Sequence, residues 1–201
     1  APDRIERDPL ETSPQNATLR LNGAIGDFEC ALGAFIVAGG LMSGELIETT
    51  ATSSRWSYDR RVINSNETHY STFNCQAVGV YTPISTARWT ADNILGLLQG
   101  WTDADVEDRQ EKVAMAAAYA GYSRVLLGEA FCSAAIDVGP ELTSDAIFEQ
   151  AVEKFDLAIT AATAAGNTDL LNFARVGRAR ALLGQGLIAD AATAVTGVPD
   201  D

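Results

Sequence analysis

Hydrophobic residues recur every three or four positions along most of the chain, which is the spacing of one face of an α-helix. The first such segment runs from Asn22 to about Gly39, where Asn22 can cap the helix start and the pair Gly39 and Gly40 can end it. Its apolar face consists of Ile25, Phe28, Leu32, Phe35 and Ile36. We therefore predict a first helix over residues 22–39.

The helical pattern returns after residue 82 and continues almost to the last residue. Pro83 stands in the first turn of a helix predicted over residues 84–99, and a second helix with an acidic start is predicted over 106–131. Further helical segments begin near Thr143, Thr168 and Ile188. Since no strand pattern of convincing length alternates with them, the predicted fold is all-α, built from antiparallel helix pairs.

Two segments lack this periodicity. Residues 1–21 are polar and rich in proline, which predicts an extended N-terminal arm before a single helical domain over residues 22–201. Residues 43–82 form a long loop rich in Ser, Thr, Asn and Arg, with aromatic residues interspersed. A connection of this length is rare inside a compact domain unless it carries function or is held by a crosslink.

Composition excludes several classes of partner. The chain has 201 residues and a formal net charge of −13, and Lys112 and Lys154 are its lysines. Binding to nucleic acid or to an anionic membrane surface draws on clustered basic residues, so neither is expected. The most apolar run, residues 31–42, is interrupted by glycines and is shorter than the roughly 20 residues that span a bilayer. We predict no nucleic-acid partner and no transmembrane segment.

The sequence offers no constellation for catalysis. His69 is the single histidine, and Cys75 follows it by six positions, but proximity in a loop does not establish a catalytic pair. Acidic residues near Asp103 and Asp108 are accounted for by the dipole of a helix start. No glycine-rich phosphate loop follows a strand. We predict that the chain is not an enzyme and needs neither a cofactor nor a metal.

The helix pairs resemble tetratricopeptide units, in which small residues lie where two helices cross closely. Positions that fit are Leu127, Gly128 and Phe131 on a first helix and Ala151, Phe155 and Ala158 on a second. Together with "GDFECALGAF", "YTPISTARWTADNILGLL", "YAGYSRVLLGEAF", "FEQAVEKFDLAI" and the insertion "CSAAIDVGPELT", they resemble the N-terminal half of the SusD/RagB-like family. Members of that family are lipoproteins on the outer-membrane surface that work with TonB-dependent transporters in capturing glycans or other nutrients.

The start "APDRIERDPLETSPQ", without a charged and then apolar leader, is typical of a mature chain freed of its targeting segment or of a fragment. The resemblance implies a place on the outer-membrane surface or outside the cell. It also implies a TonB-dependent transporter as a partner and a glycan or peptide as the ligand. Two sequons, at Asn16 and Asn66, point to the same side of the membrane as candidate glycosylation sites. Five aromatic residues offer flat faces to a ligand or, alternatively, plug the long loop into the core: Trp56, Tyr58, Tyr70, Tyr81 and Trp89.

The alternative function is assembly into a filament or another homopolymer. The segment "LIADAATAVTGVPDD" presents apolar residues, among them Leu187 and Ile188, that a neighbouring copy can cover. The N-terminal arm can then cross an adjacent subunit, or it can pack on its own domain. Its predicted apolar anchors are Ile5, Leu10 and Leu19, and its predicted ion-pairing residues are Arg4, Arg7 and Arg20.

The three cysteines leave the disulfide pattern open. If the helices over 84–99 and 106–131 are antiparallel neighbours, Cys132 lies near the segment before Pro83, which predicts a Cys75–Cys132 disulfide pinning the long loop. Such a crosslink is worth about 3 to 4 kcal/mol of loop entropy. A Cys30–Cys75 disulfide and three reduced cysteines are the alternatives.

Overall fold

The computed structural model describes residues 13–50, 53–64, 67, 72, 75 and 79–200, and within them it confirms the all-α fold. The helices are α1 (Ala17–Ser43), α2 (Trp56–Asp59), α3 (Tyr81–Gly100), α4 (Arg109–Ala130), α5 (Ser144–Ala165), α6 (Thr168–Gly184) and α7 (Ile188–Ala194), with 3-10 turns at Pro14–Asn16 and Ser53–Arg55. A small antiparallel hairpin of β1 (Ser133–Ala135) and β2 (Glu141–Thr143) connects α4 to α5. The sequence pattern did not predict this hairpin.

Helix α1 is longer at both ends than predicted, and residues 17–21 belong to it rather than to an arm. Its buried side chains are mostly small and follow a spacing of three and four: Ala17, Leu21, Ala24, Phe28, Ala31, Ala34, Ala38 and Leu41. Because alanines line this face, α1 approaches α3 and α4 closely, while Ile36, predicted for the apolar face, is 55% exposed. The predicted bounds 22–39 were therefore wrong.

The glycines at positions 39 and 40 do not end α1. The helix ends at Gly44, which has the left-handed φ of 84° that favours glycine. The N–H of Leu46 donates to the carbonyl of Gly40 at 2.9 Å, and the Leu46 side chain lies where a Cβ of residue 40 would be. Gly40 thus makes room for the chain that folds back over the helix end.

The segment Pro14–Ser43 is long and apolar enough to cross a membrane, with a mean hydropathy of 1.5 over its best window. The prediction of no transmembrane segment considered the run over residues 31–42, which is only the C-terminal part of this segment. A core helix of a water-soluble protein and a signal sequence satisfy the same criterion, and α1 here packs one face against α3 and α4.

Helices α4, α5 and α6 pack side by side through glycine and phenylalanine. Two phenylalanines of α5 each lie between a glycine of α4 and a glycine of α6. The two groups are Gly121, Phe155 and Gly177, and, one heptad earlier on α5, Gly128, Phe148 and Gly184. Since residue numbers rise on α4 and α6 where they fall on α5, neighbouring helices are antiparallel, as predicted.

Helix α5 begins as predicted, whereas α4 does not. Thr143 caps α5, its hydroxyl accepting from the N–H of Ala146 at 3.3 Å. Helix α4 begins only at Arg109, because Asp108 adopts a left-handed φ of 49° and the carboxylate of Asp105 accepts from the N–H of Thr102 at 2.8 Å. These acidic residues therefore shape a loop before the helix instead of its first turn.

The predicted Cys75–Cys132 disulfide is wrong. Cys30 of α1 is bonded to Cys75, with their Cα atoms 4.6 Å apart, and Cys132 is free and exposed. The predicted proximity of Cys132 to the start of α3 is confirmed, since the ring of Tyr81 lies 5.3 Å from the ring of Phe131, the residue before Cys132. Helix α1 also packs against α3, however, and Cys30 is the thiol that meets the long loop.

Candidate functional site

A cleft of about 390 Å³ lies where α3, α4, α5 and the loop of the β-hairpin meet. We call it the Trp89 cleft. Its walls are formed by Arg88, Trp89, Asp92, Asn93, Leu95, Gly96 and Gln99 of α3, Arg124 of α4, Lys154 of α5, and Ile136 and Asp137 of the hairpin loop. A smaller cavity of about 220 Å³ lies between the loop before α4 and the last turn of α5.

One carboxylate, that of Asp92, binds three cations in the cleft. Arg124 donates to both of its oxygens, at 2.7 and 3.2 Å, in the two-pronged geometry that suits a guanidinium and a carboxylate. Arg88, one turn earlier on α3, donates to it at 3.2 Å, and the ammonium of Lys154 lies 3.1 Å away. The side chains of both arginines are only 6% exposed. The network joins α3, α4 and α5.

These contacts shift the pKa of Asp92. Burial acts to raise the pKa of this carboxyl, but the hydrogen bond and charge of Arg124, together with Lys154, outweigh it and hold the pKa below its usual value. Asp92 therefore carries its charge throughout the neutral range, which the two buried guanidinium groups require.

A second carboxylate, that of Asp137, reaches the cleft from the hairpin loop. One of its oxygens accepts from Arg88 at 2.6 Å and the other at 3.4 Å. Unlike Asp92, it has a side chain 57% exposed, and its backbone adopts a left-handed φ of 56°. Asp137 is therefore held less firmly than Asp92.

The predicted aromatic ligand residues that the structure describes do not form one platform. Trp89 is 45% exposed and borders the cleft. Tyr81, two turns earlier on α3, donates its hydroxyl to the carbonyl of Ala135 at 3.1 Å and so anchors the hairpin.

The other aromatics of that set lie elsewhere. Trp56 is 38% exposed on α2, with the guanidinium of Arg60 4.6 Å from its ring centre, and Tyr58 is buried. Tyr70 lies outside the described residues. The loop aromatics that the structure describes therefore take no part in lining the Trp89 cleft.

The other predicted sites are only partly visible. Leu19 and Arg20 lie on α1, where Leu19 is 71% exposed and Arg20 donates a hydrogen bond to the side chain of Asn93. Asn16 ends the first 3-10 turn and is half-buried. Predicted arm residues Arg4, Ile5, Arg7 and Leu10, the sequon residue Asn66, and His69 lie outside the described residues.

The charged residues of the cleft were missed in the sequence, because four separate elements contribute them. The spacing of Arg88 and Asp92, four residues apart on one helix, was the available signal. Among the residues that the structure describes, no group of three His, Cys, Asp or Glu side chains is placed to hold a metal ion. Cys75 is oxidised in its disulfide and cannot act as a thiolate nucleophile.

No family model, curated protein or solved structure matches this chain. The SusD/RagB-like resemblance therefore stays a prediction.

Proposed function

We propose that the chain is a non-enzymatic binding protein that captures a glycan in the Trp89 cleft. The observation that carries the proposal is the exposed indole of Trp89 beside a cleft lined by polar and charged side chains. A single exposed tryptophan on a convex surface needs no functional explanation. Trp89 differs because it borders a concave site with several polar groups, and small ligands bind at sites of that kind.

The face of α3 that borders the cleft suits a sugar ring. Trp89, Asn93 and Gly96 follow one another at helical spacing, and no heavy atom outside the helix backbone lies within 4 Å of where a Cβ of Gly96 would be. Gly96, about two turns after Trp89, thus leaves open space on the same face of α3. One sugar of a chain can stack its apolar C–H face on the indole while hydroxyls of the sugars that follow it reach the side chains of Asn93 and Gln99 further along α3.

Two features support the setting that the SusD/RagB-like resemblance implies. Large side chains packed against glycines between antiparallel helices are the arrangement expected of tetratricopeptide-like pairs. The Cys30–Cys75 disulfide belongs to an oxidising compartment, in keeping with a position on the outer-membrane surface or outside the cell. There, a TonB-dependent transporter is the partner that would receive the ligand.

Calorimetric titration against a panel of oligosaccharides tests this function. Trp89→Ala should weaken binding about tenfold or more, since it removes the stacking surface. Trp56→Ala is the matched control, because Trp56 is exposed to a similar extent but lies outside the cleft. The proposal is wrong if no oligosaccharide releases or absorbs heat, or if the two variants weaken binding equally.

Self-assembly is the second candidate, and exposed apolar side chains near the junction of α6 and α7 favour it. Leu183, Leu187 and Ile188 are 55%, 44% and 71% exposed. A second copy of the chain could cover them, with the N-terminal arm contributing as predicted. Light scattering that finds a monomer at high concentration would exclude this candidate.

A further inference from the structure

The Trp89 cleft concentrates positive charge on an acidic protein. Three cationic side chains, Arg88, Arg124 and Lys154, face two carboxylates, so one positive charge is in excess, whereas the chain as a whole has a net charge of −13. Both guanidinium groups are almost completely buried, which strengthens their attraction for an anion relative to a surface site. A neutral ligand has no need of this charge.

The cations of the cleft are also incompletely paired. Arg124 is 5% exposed, and within the part of the chain that the structure describes its buried Nε has no hydrogen-bond partner. A buried donor without an acceptor is costly, and native structures rarely leave one. Because this atom is itself buried, it adds positive charge near the cleft but offers no donor that a ligand contacts.

Asp137 shows which acceptor fits. Its carboxylate is held by Arg88 through both oxygens, although it comes from an exposed loop and is itself more than half exposed. Val138, next in that loop, is fully exposed, so few contacts retain the loop at its tip. Only the Asp137 side of this ion pair is open to solvent, so another carboxylate can compete with Asp137 for Arg88 from that side.

We propose that the Trp89 cleft selects a uronic acid, a sugar with a carboxylate, and that this carboxylate replaces Asp137 on Arg88. The inference rests on the proposed glycan-binding function and names the substrate class of that site. The guanidinium of Arg88 presents two N–H groups to the carboxylate, Lys154 adds a positive charge, and the sugar ring stacks on Trp89. In the structure, Asp137 occupies this position on Arg88.

The experiment compares trisaccharides of galacturonate and of glucuronate with their methyl esters, which keep the ring and remove the charge. In calorimetry, the free acid should bind about tenfold more tightly than its ester, with an advantage that falls as salt is added. Asp137→Asn should tighten binding of the acid about threefold or more, because the internal competitor is gone, and leave the ester unchanged.

The two lysines provide a matched pair of variants. Lys154→Gln should weaken binding of the acid about three- to tenfold without affecting the ester. Lys112→Gln removes the same charge from another half-buried lysine, which donates to the carbonyl of Glu107 outside the cleft, and should change neither affinity. Thermal melts of both variants serve as the folding control, because the loss of Lys154 removes one of the three cations that bind Asp92. We expect both variants to fold, since the side chain of Lys154 is partly exposed.

The outcomes separate this inference from the proposed function. Acid and ester binding equally, or neutral oligosaccharides binding while both uronates do not, would overturn the uronate preference and leave glycan binding intact. Equal effects of Lys154→Gln and Lys112→Gln on the acid would also overturn it. If no oligosaccharide of any charge binds, the proposed function fails and the uronate preference fails with it.

Discussion

Replacing Gly177 by alanine should destabilise the protein, because the added methyl group has no room. A Cβ at this position would overlap Cε1 and Cζ of Phe155 and would lie 2.8 Å from the ring of Tyr122. Phe155 is fully buried, and a Cβ at Gly121 of α4 would also lie 2.8 Å from its Cζ, so the same ring is in close contact with a second helix. The helices must separate or the ring must leave its rotamer.

The magnitude follows from two opposing effects. Alanine stabilises a helix interior by about 1 kcal/mol relative to glycine, whereas overpacking a tight core costs about 3 kcal/mol at the upper end of the usual range. Because Phe155 is fully buried and in close contact with both α4 and α6, we expect the upper end and a net loss of about 2 kcal/mol in the free energy of unfolding. For a chain of this size, the loss lowers the Tm by about 4 to 8 °C.

Urea unfolding followed by circular dichroism measures this loss, and Gly23→Ala is the control. Gly23 lies on the exposed side of α1, with no heavy atom outside the helix backbone within 4 Å of an added Cβ, so the same substitution should stabilise by about 0.5 to 1 kcal/mol. The two variants thus shift stability in opposite directions. A Gly177→Ala protein as stable as wild type would show that α5 and α6 do not pack as closely as described.

Two further predictions concern stability. Replacing both Cys30 and Cys75 by serine should lower the free energy of unfolding by about 4 kcal/mol, because the crosslink closes a 45-residue separation, while Cys132→Ser should leave urea unfolding unchanged. Since the folded pKa of Asp92 is lowered, its ionised form contributes stability above the usual carboxyl pKa of about 4, and this is lost as pH falls through the folded pKa. Asp92→Asn should therefore be less stable near neutral pH and lose less stability on acidification than wild type; parallel pH profiles of Tm would contradict this.

The helical fold could be predicted because its signals are local. Periodicity and the cap at Thr143 place the start of α5 within one residue of its observed position. Helix α1 was harder, since most of its buried positions are alanines, whereas Ile36, a large residue predicted for the apolar face, is 55% exposed. When helices approach closely, small residues mark the interface, and large ones can point to solvent.

The candidate site was largely hidden because its chemistry is tertiary. Trp89 was selected as an exposed aromatic face, and the structure places it on the cleft. Two of the cations around Asp92, Arg124 and Lys154, come from other helices and are far from it in the chain. No short sequence motif relates these two residues to each other or to Asp92. Tyr81 was selected for the same reason as Trp89, but its hydroxyl is committed to the carbonyl of Ala135. Whether an aromatic side chain faces a ligand or a neighbouring segment is decided by packing that a single sequence does not display.

The hairpin between α4 and α5 completes the cleft that the helices begin. Helices α3, α4 and α5 supply the cations and Asp92, while Asp137 comes from the hairpin loop between α4 and α5. The hairpin is fixed at its base, where the hydroxyl of Ser144 donates to the carbonyl of Phe131 at 2.8 Å, and at the last residue of β1, where Tyr81 donates to the carbonyl of Ala135. These two contacts fix where Asp137 meets Arg88. The loop that carries Asp137 is itself exposed, which leaves its contact with Arg88 open to exchange. Tyr81 therefore acts on the cleft through the position of the hairpin and not through contact with a ligand.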